Sequence, residues 1–182
     1  MAALRDRVVP GIRVLFVGIN PGLRSAAVGH HFAGPSNRFW TLLHDAGLVP
    51  RAVTWADDDR LPEWGYGITN LVARATAGVQ DLSPAELRAG RQALERKVRR
   101  FRPAIVALVG VMVYRALFDV RGEVTPGPTE VRLSGARVFV LPNPSGRNAH
   151  YSYADMLAVY RELARMLAAQ PGSSGAPGLD RS

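Results

Sequence analysis

Two short stretches concentrate the residues able to build a reactive pocket. One reads Gly18-Ile19-Asn20-Pro21-Gly22 and continues to Gly29-His30-His31-Phe32-Ala33-Gly34-Pro35; the other reads Pro142-Asn143-Pro144-Ser145-Gly146-Arg147-Asn148. Glycine and proline set tight turns with exposed N–H groups and little side-chain bulk, so a flat ligand can approach the main chain closely. Neither stretch is a phosphate loop, because the spacing fits neither G-x-x-x-x-G-K-[ST] nor G-x-G-x-x-G. A metal site at His30 and His31 is not expected: adjacent side chains diverge, no carboxylate stands at ligand spacing, and there is no cysteine.

The elements that position these loops are legible from periodicity. The apolar run Arg13 to Val17 stops at Gly18 and reads as a buried parallel strand that feeds the first loop. Ser36 is expected to cap a helix over Asn37 to Ala46, ended by Gly47. Gly67 to Val72 is a second strand. Ser83, Pro84 and Glu86 form a helix start signal, and Leu87, Leu94, Val98 and Phe101 line one helix face. The opposite face collects Arg88, Arg91, Arg96, Arg99 and Arg100, read as a solvated surface. Ala104 to Val109 is a third strand, followed by a short helix over Val111 to Phe118. Val131 to Leu133 and Arg137 to Leu141 flank a Ser134-Gly135 turn as a hairpin, the second arm leading into the second loop. A last helix, Tyr153 to Ala168, buries Met156, Tyr160, Leu163 and Leu167. This alternation predicts a three-layer α/β/α sandwich with a short, mainly parallel central sheet. Ligands in such sheets bind outside the carboxyl ends of the strands, where both loops emerge.

Length and composition agree with one globular domain. The chain has 182 residues, 47% of them hydrophobic and 21% charged, with no apolar run long enough to cross a bilayer. The expected division is a flexible N-terminus over 1–9, a single domain over 10–169 and a disordered tail over 170–182. No signal peptide opens the chain, so a cytoplasmic location is expected. A net charge of +8 favours a polyanionic partner.

Four segments in order, GINPGL from Gly18, GHHFAGPSNRFW from Gly29, GITNLVARATAGVQDLS from Gly67 and LPNPSG from Leu141, resemble the uracil-DNA glycosylase superfamily. The resemblance is to its mismatch-specific branch, the mismatch-specific uracil-DNA glycosylases and thymine-DNA glycosylases, and runs over 11–168. It implies a monomeric, cofactor-free DNA glycosylase that flips uracil, or thymine and other modified pyrimidines, out of mispairs with guanine. The N-glycosidic bond is then hydrolysed to leave an abasic site for base-excision repair. The implied partner is double-stranded DNA with G·U or related mispairs, with single-stranded uracil DNA as a second candidate. No membrane and no obligate protein partner are implied, and the location becomes nucleoid-associated through DNA. With no lysine in either motif, no Schiff base is expected. The alternative reading is a basic module that binds damaged or abasic DNA without turnover.

The resemblance also assigns roles. Asn20 matches the water-positioning residue; its amide oxygen can orient water but cannot take a proton near neutral pH. Asn143 stands where more active branches carry histidine and is expected to donate to O2 of the departing base. Apart from the resemblance, Asp81 is a carboxylate in the loop before the helix that starts at Ser83 and is an alternative base, its other reading being a helix-entry partner. Phe32 matches the aromatic that stacks on the flipped pyrimidine. Gly22 takes the place of a bulky tyrosine in the uracil-selective branch and leaves room beside C5. Ile19 and His31 are expected to border the pocket, and Asn70 to pair with the N3/O4 edge. Ser145, Gly146, Arg147 and Asn148 match the wedge that enters the duplex and meets the widowed guanine; thymine-specific members resemble this chain in carrying arginine there.

Overall fold

The computed structural model describes residues 3–170. In chain order its elements are β1 (Val14–Gly18), α1 (Leu23–Val28), α2 (Phe39–Asp45), a 3-10 segment (Trp55–Trp64), β2 (Tyr66–Asn70) and a short 3-10 turn (Val79–Asp81). There follow α3 (Pro84–Phe101), β3 (Ile105–Val109), α4 (Val111–Phe118), β4 (Gly127–Leu133), β5 (Ala136–Leu141) and α5 (Tyr153–Ala168). The strands form one sheet in the order β2-β1-β3-β5-β4, parallel throughout except for β4, which runs antiparallel along β5.

Side chains alternate across a strand, so a strand buried on both faces must be apolar at every position. β1 meets that condition. Val14 and Phe16 enter a core with Phe39 and Leu42 of α2, Leu61 of the 3-10 segment and Met156, Tyr160 and Leu163 of α5. Leu15 and Val17 enter a second core with Leu94 and Val98 of α3 and Val113 and Leu117 of α4. Helices therefore cover both faces, giving the three-layer α/β/α sandwich. The Ser83 cap forms as read: its side chain accepts from the Glu86 N–H, and the Glu86 carboxylate accepts from the Ser83 N–H.

Six details differ from expectation. Residues 5–7 are docked rather than loose, since Arg7 pairs with Ile68 through reciprocal 2.9 Å backbone bonds at the outer edge of β2. Ser36 does not cap α2. That helix starts after Arg38, and the Asn37 side chain accepts the Phe39 N–H, because Ser36 is packed against Gly146 of the second loop. The helix α1 and the 3-10 segment were not expected; the first is six residues between glycines, and the second is polar with Pro62 inside it. β2 ends at Asn70 rather than Val72, and the hairpin's first arm begins four residues early at Gly127, with an irregularity in pairing between Pro128 and Arg132. The tail over 171–182 lies outside the described residues.

Candidate active site

Parallel strands align their carboxyl ends, and four of them end together here: Asn70 on β2, Gly18 on β1, Val109 on β3 and Leu141 on β5. Beyond β1 the chain keeps company with the continuation of β2, as the Leu71 and Val72 N–H groups bond to the Gly18 and Ile19 carbonyls and Thr76 N–H to that of Pro21. This brings Asn20 beside Thr76. The Asn20 amide nitrogen donates to the Arg74 carbonyl at 3.0 Å and to Thr76 Oγ1 at 2.7 Å. Both its hydrogens are thereby used, and Oδ1 is left without a partner among the described residues. An amide anchored in that way presents a fixed acceptor.

Gly18 lets two further groups converge. A Cβ there would lie 2.6 Å from Asn70 Oδ1 and 3.3 Å from Phe32 Cζ, so the amide oxygen and the ring edge meet over a backbone with no side chain. Phe32 is half-buried, with φ of 49° and its ring 4.5 Å from that of Phe39, which fixes one side while leaving an edge at the strand ends. Gly22 is open: among the described residues nothing beyond its chain neighbours lies within 4 Å of the place a Cβ would occupy.

The second loop is turned by its own side chains. Asn143 Oδ1 accepts from the Ser145 N–H, Asn148 Nδ2 donates to the Asn143 carbonyl, and Ser145 Oγ accepts from the Arg147 N–H. The Asn143 amide nitrogen has no partner among the described residues, and Arg147 is exposed. The two loops are bound to each other. Arg38 donates its backbone N–H to the Pro144 carbonyl at 2.9 Å and its guanidinium to the Ser145 carbonyl at 3.3 Å. A cavity of about 900 Å³ opens between the second loop and the start of α4, with Ile19, Gly110, Met112, Asn143, Arg147 and Tyr151 among its walls. Neither Phe32 nor Asn70 is among its walls, so the expected residues divide into a β2-side group around Gly18 and a β5-side group around Asn143.

Two expected residues are placed differently. The His31 imidazole is 2% exposed and stands behind Asn70 rather than on an open wall. Asp81 accepts the Gly78 N–H through its carboxylate, capping the short turn, and makes no hydrogen bond to Asn20. Its carbonyl instead receives the Arg74 guanidinium, which is also gripped by Glu86. Arg74 first, then the Ser83 backbone, holds the Glu86 carboxyl down at about 2. Asp81 and Glu86 therefore serve Asn20 indirectly, by fixing the residue whose carbonyl holds it. Thr76, Arg38, Ser36 and the fully buried Asp58 were not singled out from sequence. Asp58 accepts from Arg7 Nε at 3.1 Å, His30 Nδ1 at 2.8 Å and the His31 N–H at 2.9 Å.

Loops of this kind at the carboxyl ends of a parallel sheet define an α/β protein with a ligand crevice at its strand ends. More particularly, the chain belongs to the uracil DNA glycosylase superfamily, whose family model matches residues 6–164. Members are glycosylase hydrolases that act on uracil-containing DNA in base-excision repair.

Proposed function

We propose that the protein is a mismatch-specific member of that superfamily, a monofunctional glycosylase that flips uracil from G·U pairs and hydrolyses its N-glycosidic bond. The observation that carries the reading is the anchored Asn20 amide, two residues past Gly18, the glycine over which Phe32 and Asn70 converge. Phe32 stacks on the extruded base, Asn70 meets its N3/O4 edge, and Asn20 Oδ1 accepts from a water directed at the anomeric carbon. Across the crevice the free Asn143 N–H donates to O2 as negative charge builds on the leaving pyrimidine. Asn20 takes no proton, so the chemistry is slow and rests on positioning and leaving-group stabilisation. The open space at Gly22 admits a C5 substituent, which extends the reading to thymine and other modified pyrimidines. Gly146 and Arg147, on a loop braced by Arg38, fill the gap in the duplex.

Oligonucleotides carrying U or T opposite G, opposite A and unpaired, followed by alkaline cleavage of abasic sites, test this. Base release from G·U well above that from A·U is expected. Equal release from all contexts would remove the mismatch specificity, and no release would remove the enzyme.

A further inference from the structure

A chain of hydrogen bonds that begins outside both loops controls the Asn70 amide. The Arg5 carbonyl, 2.9 Å from His31 Nε2, can only accept, so Nε2 carries the ring proton. Burial pushes the His31 imidazole below its ordinary proton affinity, against the pull of the Arg5 carbonyl and the Asp58 carboxylate, and the ring is neutral. Nδ1 of that tautomer is a lone pair. The atom facing it, at 3.4 Å, is the Asn70 amide nitrogen, which therefore donates. That leaves Oδ1 turned toward Gly18 and the edge of Phe32, with one N–H of the same amide still free.

The Arg5 carbonyl is itself held in place. On one side Asp6 accepts from Thr69 Oγ1 and pairs with Lys97 of α3, both at 2.6 Å. On the other, Arg7 pairs with Ile68 and reaches Asp58.

We propose that His31, locked as the Nε2–H tautomer by the docked N-terminal segment, is a specificity-determining positioning residue that turns the Asn70 oxygen toward the base and so selects pyrimidines with an N3–H. The proposal rests on the glycosylase reading. Uracil and thymine offer an N3–H donor and an O4 acceptor, which the Asn70 oxygen and its free N–H meet. Cytosine offers an N3 lone pair and an N4 donor, and both would be opposed. Specificity of this type is strong, because a mismatched edge leaves buried polar groups unpaired. Protonation of His31 would place a hydrogen on Nδ1, and only a flipped Asn70 amide could then accept it, presenting the wrong edge to uracil.

The charged neighbours are Asp6 and Arg7 of the N-terminal segment, Asp58 of the 3-10 segment, His30 alongside, and Lys97 behind Asp6. His30 also bonds to Asp58, so a pH profile of the wild type alone does not isolate His31. His31→Gln does. Its side-chain amide can donate to the Arg5 carbonyl and accept from Asn70, yet does not titrate.

The measurement is single-turnover base release from a G·U duplex and from the same duplex with 3-deazauracil, in which a C–H replaces the N3–H and O4 becomes a hydroxyl, so that the edge facing Asn70 no longer matches it. Comparing the ratio of the two rates between variants cancels the intrinsic difference in leaving group. His31→Ala is expected to lower the uracil preference by about tenfold or more, the effect of losing one oriented hydrogen bond. His31→Gln is expected to keep it, and to keep it into acid where the wild-type preference falls. An unchanged ratio in His31→Ala, or a glutamine variant no better than alanine, would overturn the proposal. So would an imidazole ¹⁵N spectrum of the wild type showing the Nδ1–H tautomer, a readout independent of how the variants fold. Wild-type uracil release with a ratio indifferent to His31 refutes this inference alone. The absence of any base release refutes the glycosylase reading and this inference with it.

Discussion

In the proposed function Asn20 is a weak catalytic group made useful by its neighbours. A free carboxamide samples two orientations, but this one has both hydrogens committed, to the Arg74 carbonyl and Thr76 Oγ1, so its oxygen stays available to water. Asn20→Ala is expected to slow base release at least about 100-fold while duplex binding is retained, the range typical of losing a positioned acid–base or orienting group. Unchanged single-turnover rates would move the role elsewhere, with Asp81→Asn the next variant to measure. Gly18 makes a sharper case. A methyl at that position would sit 2.6 Å from Asn70 Oδ1 and 3.3 Å from Phe32 Cζ. Gly18→Ala should therefore weaken base capture and excision with a small change in melting temperature, since the closest conflict is with the Asn70 amide, which belongs to neither core. A variant with wild-type kinetics would mean that the base does not bind over Gly18. The two Gly/Pro-rich loops that carry Asn20, Phe32 and Asn143 were legible in the sequence, and the roles expected of those residues came from the resemblance to the superfamily. Their supports were not. Thr76 is 56 residues from Asn20, Arg5 contributes only a carbonyl, and backbone groups leave no mark on composition.

At the scale of elements, the apolar runs of β1, β3 and β5 and the capped start of α3 were readable because each follows from a local rule. The short helix α1, the 3-10 segment and the docking of residues 5–7 were not, because tertiary contacts stabilise them: Arg7 is tied to Asp58 and Ile68, far along the chain. The join between the two Gly/Pro-rich loops was equally hidden. Gly146 packs so closely on Ser36 that a Cβ would lie 2.6 Å from Ser36 Cβ and 2.8 Å from its carbonyl oxygen. Gly146→Ala must push the loops apart, against the Arg38 bonds to Pro144 and Ser145. If the second loop is the wedge, the loss appears in duplexes and not in single strands, where extrusion leaves no gap to fill. Arg147→Ala should behave likewise, slowing G·U cleavage more than cleavage of single-stranded uracil DNA. Arg147→Leu should recover part of the rate by volume alone. Equal slowing of both substrates would make Arg147 a general phosphate contact.

Across the whole molecule, the +8 charge is not spread uniformly over function. Many basic groups are already paired: Arg51 with Asp57, Arg60 with Glu63, Arg74 with Glu86, Arg91 with Glu95 and Lys97 with Asp6. The outward arginines of α3 run away from the strand carboxyl ends. From Pro84 to Arg100 the helix descends about 24 Å at 1.5 Å per residue, and the chain then enters β3 at the amino edge of the sheet, where Ala104 bonds to Arg13. Arg100 is thus on the far edge from Arg147. Long-range attraction feels both charges, but release of condensed counterions depends on the groups that touch phosphate. Binding to undamaged duplex should weaken with salt, and log Kd plotted against log salt concentration gains about 0.9 in slope for each phosphate neutralised. Arg147→Ala should reduce that slope by about 1 if its guanidinium reaches a phosphate on entering the groove. Arg100→Ala should leave the slope unchanged despite removing the same formal charge. Equal effects from the two variants would show that DNA responds to net charge and not to a defined face, and a slope near zero for the wild type would detach the basic composition from DNA binding altogether.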